Sequence, residues 1–267
     1  MKATGPALSD PFRLAHTECS DAECVSAASA PRHIDVAFLA TEGRDVSNWD
    51  VALEERIEAE RYFRKQDRRD RVAARALLRA VLQLRYGVAA ADWRFGRAAN
   101  GRPYVLDPIN RRFVQFNVSH TDGFVACVVS DGPLVGIDVE AISSDSDAAT
   151  SLLEIMAPPE RQWINAGPDS RAKEHRFYAC WTAKEAFAKA LGYGLGLAFD
   201  RFSILPTATG YILRCAASLE PDPSRWRFLR RAPAQHVHLS VAIRDTSAPV
   251  RFLDSSLLLS PSLHHVV

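Results

Sequence analysis

The chain has 267 residues, 47% hydrophobic and 24% charged, and its 33 Lys and Arg against 32 Asp and Glu leave a formal net charge of +1. Length and composition fit one large globular domain or two small ones, and the even balance of charge excludes a globally basic nucleic-acid binder. No apolar run approaches the ~20 residues that span a bilayer. Residues 1–20 carry no signal-peptide apolar core, and five dispersed cysteines without a C-x-x-C pair read as thiols of a reducing compartment; a soluble, cytoplasmic protein is expected.

Residues 1–32, rich in Ala, Ser and Pro, read as a loose arm, and "HIDVAFLA" (33–40) alternates as a strand does. From Val51 to Tyr86 the pattern is helical, with Leu77, Val81 and Leu84 marking an apolar face and Arg64, Arg68, Arg71, Arg75 and Arg79 a basic one. Short strands follow at 93–97 and 102–106 about a turn at Asn100-Gly101. "FNVSHTDGF" (116–124) then reads as a turn leading into the apolar strand 124–131, and "PLVGIDVEAI" (133–142) is a further strand. The polar stretch 143–150 reads as mobile. "APPERQWI" has the proline and the first-turn glutamate, Glu160, of a helix start. A helix spans 174–191, strands lie at 201–205, 210–215 and 236–244, and the tail 246–267 has no assignable structure. A long helix, a hairpin and an apolar strand occur twice in the same order. The expected fold is therefore α+β, with two similar halves (33–132 and 133–245), each a small antiparallel sheet with a long helix, and a cleft between them.

Three fragments carry chemistry. In "GIDVE", Asp138 and Glu140 are two apart and share one face of a strand. Such a pair reads either as a solvated strand end or as part of a site for a hard divalent cation, which takes carboxylate oxygens and shares phosphates with the protein. In "WTAKEAFAKALGYGL", Glu185 and Lys189 lie one turn apart on one helix face. Alone they make an ordinary i,i+4 pair. On a helix as apolar as this one, with Phe177, Trp181, Phe187, Ala188 and Leu191, an acid and a base need partners or a cavity. Ser119 and His120, with Asn117, offer hydroxyl and ring donors for phosphate, and Arg97 and Arg102 flank a tight turn with guanidinium forks suited to it; each also has a plain reading as turn or hairpin chemistry. "GYGLG" follows a helix rather than a strand and reads as a helix C-terminus, not a dinucleotide loop. His236 and His238, and His264 with His265, lack a third ligand at useful spacing for zinc.

Taken together, "NGRPYV", "FNVSHTDGFVACVV", "VGIDVE" and "FYACWTAKEAFAKALGYGLG" resemble the motif series of the single-chain, pseudodimeric 4′-phosphopantetheinyl transferases of the surfactin-synthetase type, over about residues 50–245. The resemblance implies a holo-[acyl-carrier-protein] synthase activity: Mg²⁺-dependent transfer of the phosphopantetheine arm of coenzyme A to a serine of an apo acyl or peptidyl carrier protein, with release of adenosine 3′,5′-bisphosphate. It implies Asp138, Glu140 and Glu185 as magnesium ligands, Glu185 and Lys189 as the catalytic pair, and Arg97, Arg102, Ser119, His120 and Lys189 as coenzyme A contacts. Lys184 has a smaller part in transfer than Glu185. A monomer is expected, with neither nucleic acid nor membrane as partner. The basic contact to the 3′-phosphate has no clear bearer: Glu58 stands at the ungapped position, with Arg56 and Arg61 nearby. Leu152, Leu153, Ile155, Met156 and Trp163 form a candidate apolar patch for the carrier, or pack into the second core. A metal-dependent nuclease and a non-catalytic coenzyme A or carrier-binding module are the other readings of these residues.

Overall fold

The computed structural model describes residues 33–98, 101–107, 114–142, 151–207 and 210–259. The expected N-terminal arm, Asn100, the polar stretch 143–150 and the histidines of the tail lie outside the described residues.

One succession of elements occurs twice. In the first half, β1 (Ile34–Ala40) leads to α1 (Leu53–Glu60), α2 (Lys65–Tyr86), the hairpin β2 (Arg94–Arg97) and β3 (Pro103–Asp107), then β4 (Val114–Thr121) and β5 (Phe124–Asp131). In the second, β6 (Val135–Ala141) leads to α3 (Pro158–Asn165), α4 (Ser170–Leu191), the hairpin β7 (Ser203–Thr207) and β8 (Gly210–Arg214), then β9 (Arg227–Arg231) and β10 (Val237–Ile243). The strand orders repeat as well, β1-β5-β4 and β6-β10-β9. The α+β fold expected, with two similar halves, is thus found, each half with a long helix and an antiparallel three-stranded core.

Strand alternation arranges these parts in four layers. Ile34, Val36, Ala126 and Val128 of the first sheet meet Ile137, Val139, Leu239 and Val241 of the second in a shared apolar core. The opposite faces take one helix each: Ala37, Leu39 and Val125 pack under α2 with Leu77, Leu78 and Val81, and Ala242 packs under α4 with Ala186, Phe187 and Ala190. Helix α4 lies directly on β6. A Cβ at Gly136 would fall 2.0 Å from the Ala186 carbonyl oxygen and 2.6 Å from the Ala190 nitrogen, so only glycine permits this approach. Asp138 is the next residue on that face.

Four expectations are corrected. The helix expected over 51–86 breaks at 61–64 into α1 and α2. Leu84 is exposed, and the buried stripe runs instead through Leu77, Leu78, Val81 and Leu82. Arg79 leaves the basic face: it is buried, and its guanidinium bonds Glu55 and the Ala90 and Trp93 carbonyls. The tail is structured in part, because β11 (Val250–Phe252) adds a parallel strand to the outer edge of β1 and α5 (Ser255–Leu258) follows it.

Buried ion pairs recur in both halves. Glu55 accepts a hydrogen bond from the Ala52 N–H at the start of α1 and pairs with Arg79 of α2. Glu160 accepts from the Ala157 N–H at the start of α3 and pairs with Lys184 of α4 at 2.7 Å. Lys184 also donates to the Phe202 carbonyl at 2.5 Å and lies over the Phe202 ring. Both long helices end on a left-handed glycine, Gly87 and Gly192, which confirms the reading of "GYGLG". Aligned on those caps, Arg79 and Lys184 occupy the same position, so Lys184 is part of a repeated structural pair and faces away from Glu185.

Candidate functional site

The halves meet along β4 and β6, and the seam between them gathers the acids and the lysine singled out in the sequence. Residues 116–121, expected as a turn, are strand. On the face of β4 toward β6, Asn117 Oδ1 accepts from the Ile137 N–H at 3.1 Å, Ser119 Oγ from the Val139 N–H at 3.4 Å, and Thr121 Oγ1 from the Ala141 N–H at 3.1 Å. Every second N–H of the β6 edge is therefore met by a side chain instead of a backbone carbonyl. The strands run in the same direction, held apart by side-chain rungs. Two rungs pass their hydroxyl protons on: Ser119 donates to Asp138 Oδ1 at 2.9 Å and Thr121 to Glu140 Oε2 at 3.2 Å.

Over this seam α4 brings Glu185 and Lys189. Lys189 Nζ lies 2.6 Å from Asp138 Oδ1 and 2.9 Å from Ser119 Oγ. Asp138 Oδ2 and Glu185 Oε1 are buried and have no hydrogen-bond partner among the described residues, a costly state for carboxylate oxygens. Burial, followed by the charge of Asp138, pushes the carboxyls of both Glu140 and Glu185 up to about 7. Acids crowded and desolvated in this way are what a divalent cation relieves. Among the described residues no three acidic, histidine or cysteine side chains form a ready-made cage; in this structure the Lys189 ammonium neutralises Asp138.

Cations gather on the first-half side. Burial, then the charges of Arg71 and Lys189, hold the His120 imidazole down to about 4, so it is neutral at pH 7. Arg71 stacks over Tyr62 at 4.2 Å, and its buried Nε has no partner among the described residues. Arg75 feels the charges of Arg71 and Arg97 as well as those of Glu55 and Glu58, and burial holds its pKa below the usual value. Arg97 sits 3.5 Å from Glu58.

The structure thus draws Ser119, His120, Asp138, Glu140, Glu185 and Lys189 to one seam. Ser119 arrives with its proton and both lone pairs engaged. Arg102 reaches the seam from the other side: it donates to the Ala190 carbonyl at 2.7 Å and to Gln115 at 3.0 Å, tying the first hairpin to the last turn of α4. Arg56 is held by the Val46 and Trp49 carbonyls. The sequence places Arg71 among five arginines on a helix face, a stripe suited to the 3′-phosphate or an acidic partner as well as to solvent, and singles out none of the five. The only signal for Arg71 was a position on that face a turn and a half from Lys65, where the break of the helix turns Tyr62 back onto it. Of the expected apolar patch, Met156 is buried, whereas Leu152 and Ile155 are exposed.

The repeat also explains why there is one such seam. β1 and β6 are both seven residues long; end to end, Ala37 stands at the place of Asp138 and Leu39 at that of Glu140. From the helix caps, Ala80 stands at Glu185 and Leu84 at Lys189.

A model of the 4′-phosphopantetheinyl transferase superfamily matches residues 134–242, and one of the 4′-phosphopantetheinyl transferase N-terminal region matches residues 47–131. The two meet where β5 gives way to β6. The chain is 28% identical over 194 residues to the 4′-phosphopantetheinyl transferase HetI of Nostoc sp., covering 72% of this chain and 78% of that protein. It is 29% identical over 163 residues to a 4′-phosphopantetheinyl transferase of Bacillus subtilis, covering 61% and 69%. To the transferase Sfp of Bacillus subtilis strain 168 it is 27% identical over 161 residues, covering 58% and 66%.

Proposed function

Because the chain belongs to the 4′-phosphopantetheinyl transferase superfamily, whose enzymes move 4′-phosphopantetheine from coenzyme A to carrier proteins, we propose that its reaction runs in the β4–β6 seam, with Asp138, Glu140 and Glu185 as the ligands of Mg²⁺. The supporting observation is a pair of buried oxygens, Asp138 Oδ2 and Glu185 Oε1, that have no hydrogen-bond partner among the described residues and stand beside Lys189. When bound, Mg²⁺ supplies charge neutralisation at the pyrophosphate oxygens.

The residues divide the remaining work. Glu185, the carboxylate that α4 brings over the seam, takes the proton of the carrier serine as general base. The serine oxygen forms a bond to the phosphorus bearing pantetheine, the P–O bond to the nucleotide breaks, and adenosine 3′,5′-bisphosphate leaves with the extra negative charge. Lys189, a quarter exposed on a flexible stem, turns from Asp138 to meet that charge. Arg71, Arg97 and neutral His120 hold the nucleotide phosphates, and Arg71 supplies the 3′-phosphate contact that sequence alone leaves open. Arg102 acts by fixing the last turn of α4. The partner is an apo acyl or peptidyl carrier protein or domain, met by the chain as a monomer.

The test weighs an apo carrier protein after incubation with the chain, coenzyme A and Mg²⁺. One phosphopantetheine mass is gained, and a chelator stops the gain. Glu185→Gln lowers the rate by about 10²–10⁴ with the fold intact. Transfer at the parental rate by that variant would overturn the assignment of the seam.

A further inference from the structure

We infer that Thr121 is a positioning residue for the transfer reaction, orienting Glu140 through the rung it forms between β4 and β6. The inference rests on Glu140 being a magnesium ligand, as proposed above. Its own ground is a constraint on one hydroxyl. Thr121 Oγ1 accepts the Ala141 N–H at 3.1 Å, so one lone pair is committed to the strand edge. Its single proton points to Glu140 Oε2 at 3.2 Å. With χ1 of a β-branched residue stiff on a strand, the hydroxyl cannot turn to follow a wandering carboxylate. The glutamate must come to it instead.

The neighbouring rung has the same design: Ser119 accepts from Val139 and donates to Asp138. Each acid of "GIDVE" is thereby held from one side by the rung that accepts the N–H of the following residue. The arrangement fixes one oxygen of each carboxylate, and the other oxygen of Asp138, Oδ2, is buried with no hydrogen-bond partner among the described residues. Asn117 forms the third rung and stands opposite no acid; it sets the strand spacing alone. Partners that orient metal-binding carboxylates through a hydrogen bond typically change metal affinity by about 10–100-fold when removed.

Thr121→Val keeps shape and removes both the donor and the acceptor; Thr121→Ser keeps both. The readouts are Mn²⁺ affinity by electron paramagnetic resonance with coenzyme A present and no carrier, and the Mg²⁺ concentration that half-saturates transfer. Thr121→Val weakens both by about 10–100-fold and leaves the KM for carrier unchanged, while Thr121→Ser stays within about threefold of the parent by the same reasoning. Equal loss in the Val and Ser variants, or parental Mn²⁺ affinity in the Val variant, overturns the inference. Glu140→Gln separates the two levels: if it binds Mn²⁺ as the parent does, the ligand assignment itself is wrong. If it fails to bind while Thr121→Val binds normally, only the positioning role falls. Should the Val variant not fold, Thr121→Ala replaces it with the same criteria.

Discussion

Glu185 and Lys184 are adjacent in the chain and opposite in kind, and the contrast can be measured. Lys184 is fully buried between Glu160 and the Phe202 carbonyl. Removing it strands a buried carboxylate that also accepts the Ala157 and Ile204 N–H groups. Lys184→Met should therefore cost about 3–5 kcal/mol of unfolding free energy, and Lys184→Met with Glu160→Leu should recover part of it, because an apolar pair can replace a buried ion pair while half a pair cannot. Urea titrations check both. Glu185→Gln should leave the urea midpoint at or above the parental value, since it relieves a buried acid that the charge of Asp138 repels. The expected smaller role of Lys184 in transfer thus becomes a different role, in stability. The acids and Lys189 were legible because D-x-E on a strand and E-x-x-x-K on an apolar helix each put two charged groups on one face. That Lys184 points elsewhere was not, since only the repeat with Arg79 and the capping glutamates reveals its partner.

At the level of elements, the helices and the apolar strands follow their periodicity, and β4 does not. Its seam face carries Asn117, Ser119 and Thr121, residues that favour turns when their oxygens bond nearby backbone, and here those oxygens bond the backbone of another strand. Local chemistry could not reveal a partner twenty residues away. β9 was missed for a related reason: "RFLRR" alternates weakly, and its pairing with β10 decides it. Between β10 and α4 a buried histidine adds a pH dependence. His238 lies among Arg230 of β9, which donates to its Nδ1, His175 of α4 on its Nε2, and the stacked ring of Tyr178. Because Arg230 can only donate, His238 carries its proton on Nε2 and is neutral. Burial, with Arg230 and His175, holds its pKa down to about 3, from 6.5. The unfolded chain takes up a proton below about 6.5 and the folded chain does not until about 3. The stabilisation is thus complete above 6.5 and is lost as pH falls toward 3, reaching about 2 kcal/mol at pH 5. The difference in stability between the parent and His238→Phe should shrink across that interval, whereas a constant difference would mean that the histidine does not titrate there.

At the scale of the molecule, two like lobes face each other and could share two equivalent seams, one between β4 and β6 and one between β9 and β1. The first carries the acids. The second is closed. Strand β11 pairs with β1, Arg251 bonds the buried Asp35, and Leu258 and Leu259 pack against the core under α2. From the other lobe, Arg227 reaches the Ala248 carbonyl and Arg231 lies 4.4 Å over the Phe252 ring. The tail therefore fills a seam in which Ala37, Leu39, Ala80 and Leu84 already replace the acids and the lysine, and the pairing register sets Leu229 and Arg231 of β9 where β4 has Asn117 and Ser119 as rungs. A chain ending at Asp245 should lose at least about 3 kcal/mol, the worth of two or three large apolar side chains no longer buried, and should expose the edge of β1. Its folded fraction should still transfer phosphopantetheine near the parental rate, because the β4–β6 seam lies on the other side of the shared core. Thermal unfolding and single-turnover transfer below the unfolding temperature measure the two quantities separately. An unchanged melting temperature with lost transfer would reverse the division of labour between the seams. The same logic predicts that installing acids at Ala37, Leu39 and Ala80 with a lysine at Leu84 creates no second site, since the rungs that orient such acids are absent from β9 and β11 stands in their way.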